Sequence, residues 1–338
     1  GAWLLVGATT AQATLTSSYQ FNGNGNWSID AIGSNGDPVG LVSAVVPVGS
    51  TVEKAFLYSS IYSGGAAAVP NVSLDGTAYS GLAWTDLGAN NGAPFLRAFR
   101  TDVTAQMQTA IGGGSAAAFN FTVRENASNA GTDGEVLVVV YRNAAEQERT
   151  IAILDGSSDS SGDTANINFS SPLTDVGNPG FEALISLGIG FGFQPSNPSQ
   201  VSIIDGAGRR LTSSAGGQDD GISFNGGLIT AGGLGDSSAN PDPFATDVGG
   251  SRTDDELYDL GQGNSADPTP FLSNGLLAYQ FQTQNPSHDD NIFFMGLNIT
   301  ARAGVNAPPP PAVPDAGATA GLLALGLLGL HSLGRAKK

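Results

Sequence analysis

Between Phe181 and Phe193 the chain alternates so strictly that an extended strand is the conformation that satisfies it. Phe181, Ala183, Ile185, Leu187, Ile189, Phe191 and Phe193 share one face, and Glu182, Leu184, Ser186, Gly188, Gly190 and Gly192 share the other. The apolar face has to be buried. The three glycines on the opposite face leave room for another layer or a bend. Similar runs recur at Thr51–Tyr62, Ala117–Arg124, Glu135–Tyr141, Leu277–Phe281 and Phe293–Ile299, and the Val/Leu-rich run from Glu135 reads as a strand covered on both faces. Asp75-Gly76, Asp133-Gly134, Asp155-Gly156, Asp205-Gly206 and Asn225-Gly226 read as turns between them. One segment, Asp102 to Ile111, reads as a helix: Val103, Met107 and Ile111 recur at helical spacing, and Thr101 or Asp102 can cap it. The fold class expected is all-β, a jelly-roll-like β-sandwich, with two packed sandwiches divided near residue 145 as an option. Residues 206–265 form a Gly-, Asp-, Ser- and Asn-rich excursion with weak strand signal.

Composition narrows the chemistry. There is no Cys, which excludes a disulfide framework and thiolate catalysis. The 48 glycines exceed the usual share of about 7% and favour strands and turns over helices. All 30 acidic residues precede the last three basic ones, so the chain up to residue 315 carries −20 against −17 for the whole. Such a surface repels nucleic acid and anionic membranes and attracts cations. It also keeps an exported protein soluble.

Both ends point outside the cytoplasm. Ala2 to Ala8 is apolar and Ala11-Gln12-Ala13 has the small-x-small form of a signal-peptidase site, so residues 1–13 read as the remnant of a signal peptide. Pro308 to Pro311 lie within a stiff spacer, residues 304–312, that follows the sandwich region, residues 14–303. Beyond it come Val313-Pro314-Asp315-Ala316-Gly317, an apolar stretch from Ala318 to Leu330, and Arg335, Lys337 and Lys338. The stretch is shorter than the ~20 residues of a comfortable membrane helix. The basic end is expected to stay cytoplasmic by the positive-inside rule.

This tail, residues 313–338, resembles the PEP-CTERM class of sorting signals, in the variant that reads Val-Pro-Asp-Ser-Gly; Val313, Pro314, Asp315 and Gly317 match it, and Ala316 stands where Ser is usual. The resemblance implies transient insertion in the inner membrane through a hydrophobic helix. It also implies processing by an exosortase and delivery to the cell surface or the extracellular polymer matrix. A further likeness covers Asp254–Leu260 and Asn285–Phe294, with Val52–Tyr62 and Val138–Tyr141. These resemble uncharacterised secreted β-rich domains that carry such tails, and this likeness implies no chemistry.

Calcium is the cofactor that the loops favour, because it takes six to eight hard oxygens. One candidate set is Asp155, Asp159 and Asp163. The other joins Asp254, Asp255 and Glu256 to Asp289, Asp290 and Asn291, if the two segments meet. Neither has EF-hand spacing, and capping of turns is the competing use of such residues. His288 is the one His before the tail, and no Gly-x-Ser-x-Gly elbow accompanies it, so a Ser-His-Asp hydrolase and a His-based zinc site are both disfavoured. No catalytic residue is assigned. The leading expectation is a non-enzymatic surface or matrix protein serving adhesion, biofilm matrix building or self-association. A calcium-dependent carbohydrate-binding module is the alternative, with extracellular polysaccharide as partner. A secreted hydrolase of matrix polymers ranks third.

Overall fold

The computed structural model describes residues 14–33, 38–62, 69–89, 95–126, 131–159, 161–190, 201–215, 229–240, 243, 256–285 and 290–306. In chain order these form β1 (Thr16–Gly33), β2 (Val39–Ala44), β3 (Thr51–Tyr62), β4 (Val72–Leu74), β5 (Thr77–Tyr79), β6 (Thr85–Ala89) and β7 (Leu96–Asp102). Helix α1 (Thr104–Ile111) is followed by β8 (Phe119–Glu125), β9 (Thr132–Arg142), β10 (Glu148–Asp155), β11 (Thr164–Phe169) and β12 (Ala183–Gly190). The remainder is β13 (Val201–Asp205), β14 (Arg210–Ala215), β15 (Ile229–Ala231), β16 (Leu257–Asp259), β17 (Ala278–Gln284), β18 (Asn291–Ile299) and β19 (Ala303–Val305). The protein is therefore mostly β, as expected, and its sheets are antiparallel. The sorting motif, the apolar stretch, the basic end and residues 1–13 lie outside the described residues. Among the described residues no helix is long and apolar enough to cross a membrane.

The frame is a ten-stranded sheet ordered β15-β12-β18-β10-β1-β9-β3-β7-β6, with β16 beside β12. Its pivot is β1. From Thr16 to Asn24 this strand pairs with β10, and from Gly25 to Gly33 it pairs with β9. Strands on both sides of residue 145 thus share one sheet through β1. The change of partner falls where side chains would obstruct it: a Cβ on Gly25 would lie 2.2 Å from the carbonyl oxygen of Tyr141.

Alternation of side chains then builds four layers. On the half containing β12, β18 and β10, Ile185, Leu187, Ile189, Met295 and Leu297 face the five-stranded sheet β14-β13-β17-β11-β19, where Ile167, Ile203 and Phe281 meet them. On the other half, Leu57, Leu137 and Val139 face the four-stranded sheet β2-β8-β4-β5 through Val42, Phe121 and Leu74. The remaining faces of the two halves pack on each other through Ile29, Phe56, Tyr58, Val136 and Val138 on one side and Ile153, Ile229, Phe293 and Phe294 on the other. The result is two sandwiches back to back. The glycines of β12 serve this inner seam, since a Cβ on Gly190 would lie 2.0 Å from Ser60 Oγ.

Local readings fare unevenly. Asp75-Gly76 closes the β4–β5 hairpin with φ of 47° and 76°, the left-handed pair that such a turn requires. Asp205-Gly206 lies in the β13–β14 connection. Asp133-Gly134 is not a turn: both residues sit inside β9 beside an irregularity in its pairing with β3. Helix α1 buries Met107 and Ile111 as its spacing predicts, but it is capped differently. Val103 occupies the cap position, and Asp102 Oδ1 accepts from the Thr104 amide at 2.9 Å. Gln20 joins distant ends of the body, donating to the Ala303 carbonyl at 3.0 Å and accepting from the Val305 amide at 3.2 Å.

Candidate functional site

The acidic residues singled out from the sequence serve different local structures. Asp155 closes β10 and is buried. Its Oδ2 accepts from Tyr58 Oη and Ser18 Oγ, both at 2.8 Å, and forms an ion pair with Arg100. Arg100 in turn lies over the Phe56 ring, 4.8 Å from its centroid. Because Tyr58 and Arg100 belong to the opposite half of the sheet, this carboxylate ties the two halves together. Asp159 and Asp163 do adjoin each other. Ser161 donates its amide to Asp159 Oδ1 at 2.7 Å, and the Asp159 amide donates to Asp163 Oδ2 at 3.2 Å. Burial raises the proton affinity of Asp163 above its ordinary value, against hydrogen bonds that lower it.

In the second set, Asp254, Asp255 and Asp289 lie outside the described residues, as does His288. Glu256 receives the Thr230 hydroxyl, and its backbone carbonyl accepts from Leu187. Asn291 opens β18 opposite Gly190 and accepts from Ser157 Oγ at 3.2 Å, while the Asp290 carbonyl accepts from Asn285 at 2.8 Å. Glu256 lies level with Leu187 and Asn291 level with Gly190, so they flank β12 from its two sides, about 10 Å apart across two strand spacings and offset by a further ~10 Å along the strand. All six described candidates are buried. Among the described residues no group of three or more Asp, Glu or His is placed to hold a metal ion.

Sequence reasoning passed over Asp133 and Glu135, whose neighbourhood reads as a turn followed by a strand. Both are buried: Ser60 Oγ donates to Asp133 Oδ2 at 2.9 Å, and Ser59 Oγ donates to Glu135 Oε1 at 3.2 Å. Glu135 Oε2 has no hydrogen-bond partner among the described residues. Burial, then the charge of Glu125, raises the proton affinity of Glu135 well above the ordinary range.

It also passed over an open cavity of 640 Å³ at the rim of the second sandwich, where the turn before β12 meets the loop after β16. Asp259 sets this loop. Its Oδ1 accepts from the amides of Ala183 at 3.0 Å and Gly261 at 2.8 Å, and its Oδ2 accepts from Gln262 Nε2 at 2.9 Å. Asn240 fastens the same segment, accepting from the Asp259 amide at 2.8 Å and donating to the Gly263 carbonyl at 3.0 Å. Gly261 lets the Phe181 ring come close, since a Cβ there would lie 2.9 Å from Phe181 Cδ1. Beside the ring, Glu182 Oε2 pairs with Arg149 Nη2 at 2.8 Å. The Gly-Asn-Pro-Gly run before Phe181 was the available signal, and its partner segment lies some eighty residues on.

No protein-family model matches the chain, and no curated protein matches it.

Proposed function

We propose that this is an exported, non-enzymatic protein of the cell surface or extracellular matrix, acting in adhesion or matrix assembly. Its tail is the sorting address: Val313, Pro314, Asp315 and Gly317 would be read by an exosortase after the hydrophobic helix enters the inner membrane, with Arg335, Lys337 and Lys338 on the cytoplasmic side. The observation that carries the reading is the way the frame uses its buried carboxylates. Asp155 binds a guanidinium and two hydroxyls, and Asp259 binds two amides and a side-chain amide. Charges spent on joining layers and fixing loops suit a rigid scaffold that holds a partner rather than transforming it.

The test is fractionation of the native host. The full chain is expected in the surface or medium fraction, and Pro314→Ala with Asp315→Ala is expected to leave it in the membrane fraction. A wild-type chain confined to the cytoplasm would sink the proposal. Calcium is a second element of the proposal, favoured by the adjoining buried carboxylates of Asp159 and Asp163. A cation held there would stabilise the fold by mass action. Melting of the full chain is therefore expected to fall with EDTA and recover with calcium, whereas no shift would remove calcium from the reading.

A further inference from the structure

We infer that the cavity between residues 177–182 and 259–270 is a binding site for a segment of neutral polysaccharide. The inference deepens the extracellular role proposed above, and rests on it for where such a ligand is met. Size comes first: 640 Å³ lies within the ~300–1,000 Å³ usual for ligand clefts. Chemistry comes next. Phe181 lines the cavity and is half-buried, so one aromatic surface lies among polar groups. Around it stand three side chains with acceptor oxygens: Asn178 and Gln262, whose amide nitrogens donate to Asp175 and Asp259, and Glu182, which pairs with Arg149 through Oε2. Sugars match this pairing, because they offer C–H faces to a ring and hydroxyl donors to acceptors at its edge.

Charge then selects among saccharides. Glu182 is paired with Arg149, whose side chain is 6% exposed, and Asp259 is satisfied by three donors. Asp267, on the neighbouring loop, is paired with Arg209, and that guanidinium is held over the Phe271 ring, 3.9 Å from its centroid. No cation among these is left to receive a uronate or sulfate, and the chain as a whole carries −17. A polyanion would meet repulsion without compensation, whereas a neutral chain would meet none. The walls are also fixed in advance by the bonds of Asp259 and Asn240, which lowers the ordering cost of binding.

The experiment is calorimetric titration of the full chain with hexasaccharides of neutral glucans, mannans and galactans, with an alginate hexamer as the charged comparison. At least one neutral series is expected to bind, with alginate weaker by about tenfold or more. Phe181→Ala is expected to abolish binding. Because that ring also packs on the core, Asn178→Ala serves as the second variant: its amide touches Asp175 on an exposed turn, so melting should be unchanged while affinity falls about threefold to tenfold. No heat with any neutral series, tighter binding of alginate, or unaltered affinity in both variants would overturn the inference. A chain found outside the cell that binds no neutral saccharide would remove this site and leave the extracellular role standing. A chain that binds but stays in the cytoplasm would do the reverse.

Discussion

Three donors converge on one oxygen of Asp155, and two of them come from the opposite half of the long sheet. Removing the guanidinium leaves a buried carboxylate without its counter-charge, so Arg100→Ala is expected to cost about 3 kcal/mol or more in denaturant unfolding. Ser18→Ala, which removes one neutral donor, is expected to cost about 1 kcal/mol. Glu135 makes stability depend on pH. Burial, with the charges of Glu125 and Asp133, makes the folded state hold a proton that the unfolded chain has already released. The stability it contributes is complete below the ordinary Glu range and is lost as pH rises through the raised native value. Glu135→Gln cannot ionise, so its melting temperature is expected to fall less than the wild type's as pH rises above the ordinary Glu range, with the curves converging at the acid end. Equal slopes would show that Glu135 is ionised in the folded protein.

At the scale of elements, alternation was legible and turn chemistry was ambiguous. The run from Phe181 announces both faces of β12, and its small face does admit a second layer: Gly188 faces the Phe294 ring and Gly190 meets Ser60. Gly190→Val is therefore expected to cost about 1–3 kcal/mol by overpacking, measured as a shift of the denaturation midpoint with an unchanged slope. The opposite case is β1. Asn22-Gly23-Asn24-Gly25-Asn26 has the composition of a turn, yet it runs through the middle of an eighteen-residue strand. Pairing with β10 and then β9 outweighs local preference there, and no feature of residues 16–33 alone announces those partners. Asp133-Gly134 fails as a turn for the same reason, because β1 and β3 both pair with β9 at that level. The rim cavity was illegible because its ring and its clamp come from segments far apart in sequence. Asn178, Asn240 and Asp259 are residue types that cap turns anywhere in a chain.

For the whole molecule, sharing β1 makes the two sandwiches one thermodynamic unit. Neither can lose its sheet without taking a strand from the other, and the inner seam buries Phe293 and Phe294 between them. Calorimetry is expected to show a single unfolding transition whose van't Hoff and calorimetric enthalpies agree; two resolved transitions would refute the coupling. Folding is expected to be slow, in the manner of non-local β topologies, since Thr16 must wait for Asp155 and β18 completes the central pairing.

The small contact made by Gln20 has a mechanical meaning. Tension arriving along the chain from the proline segment enters the body at β19, a strand of three residues pinned by β11 and by the Gln20 side chain. Behind it stands β18, nine residues long and paired on both edges. A pull on the chain beyond residue 306 would therefore peel the short strand first and leave the load-carrying sheet whole, so β19 acts as a fuse at that end of the body.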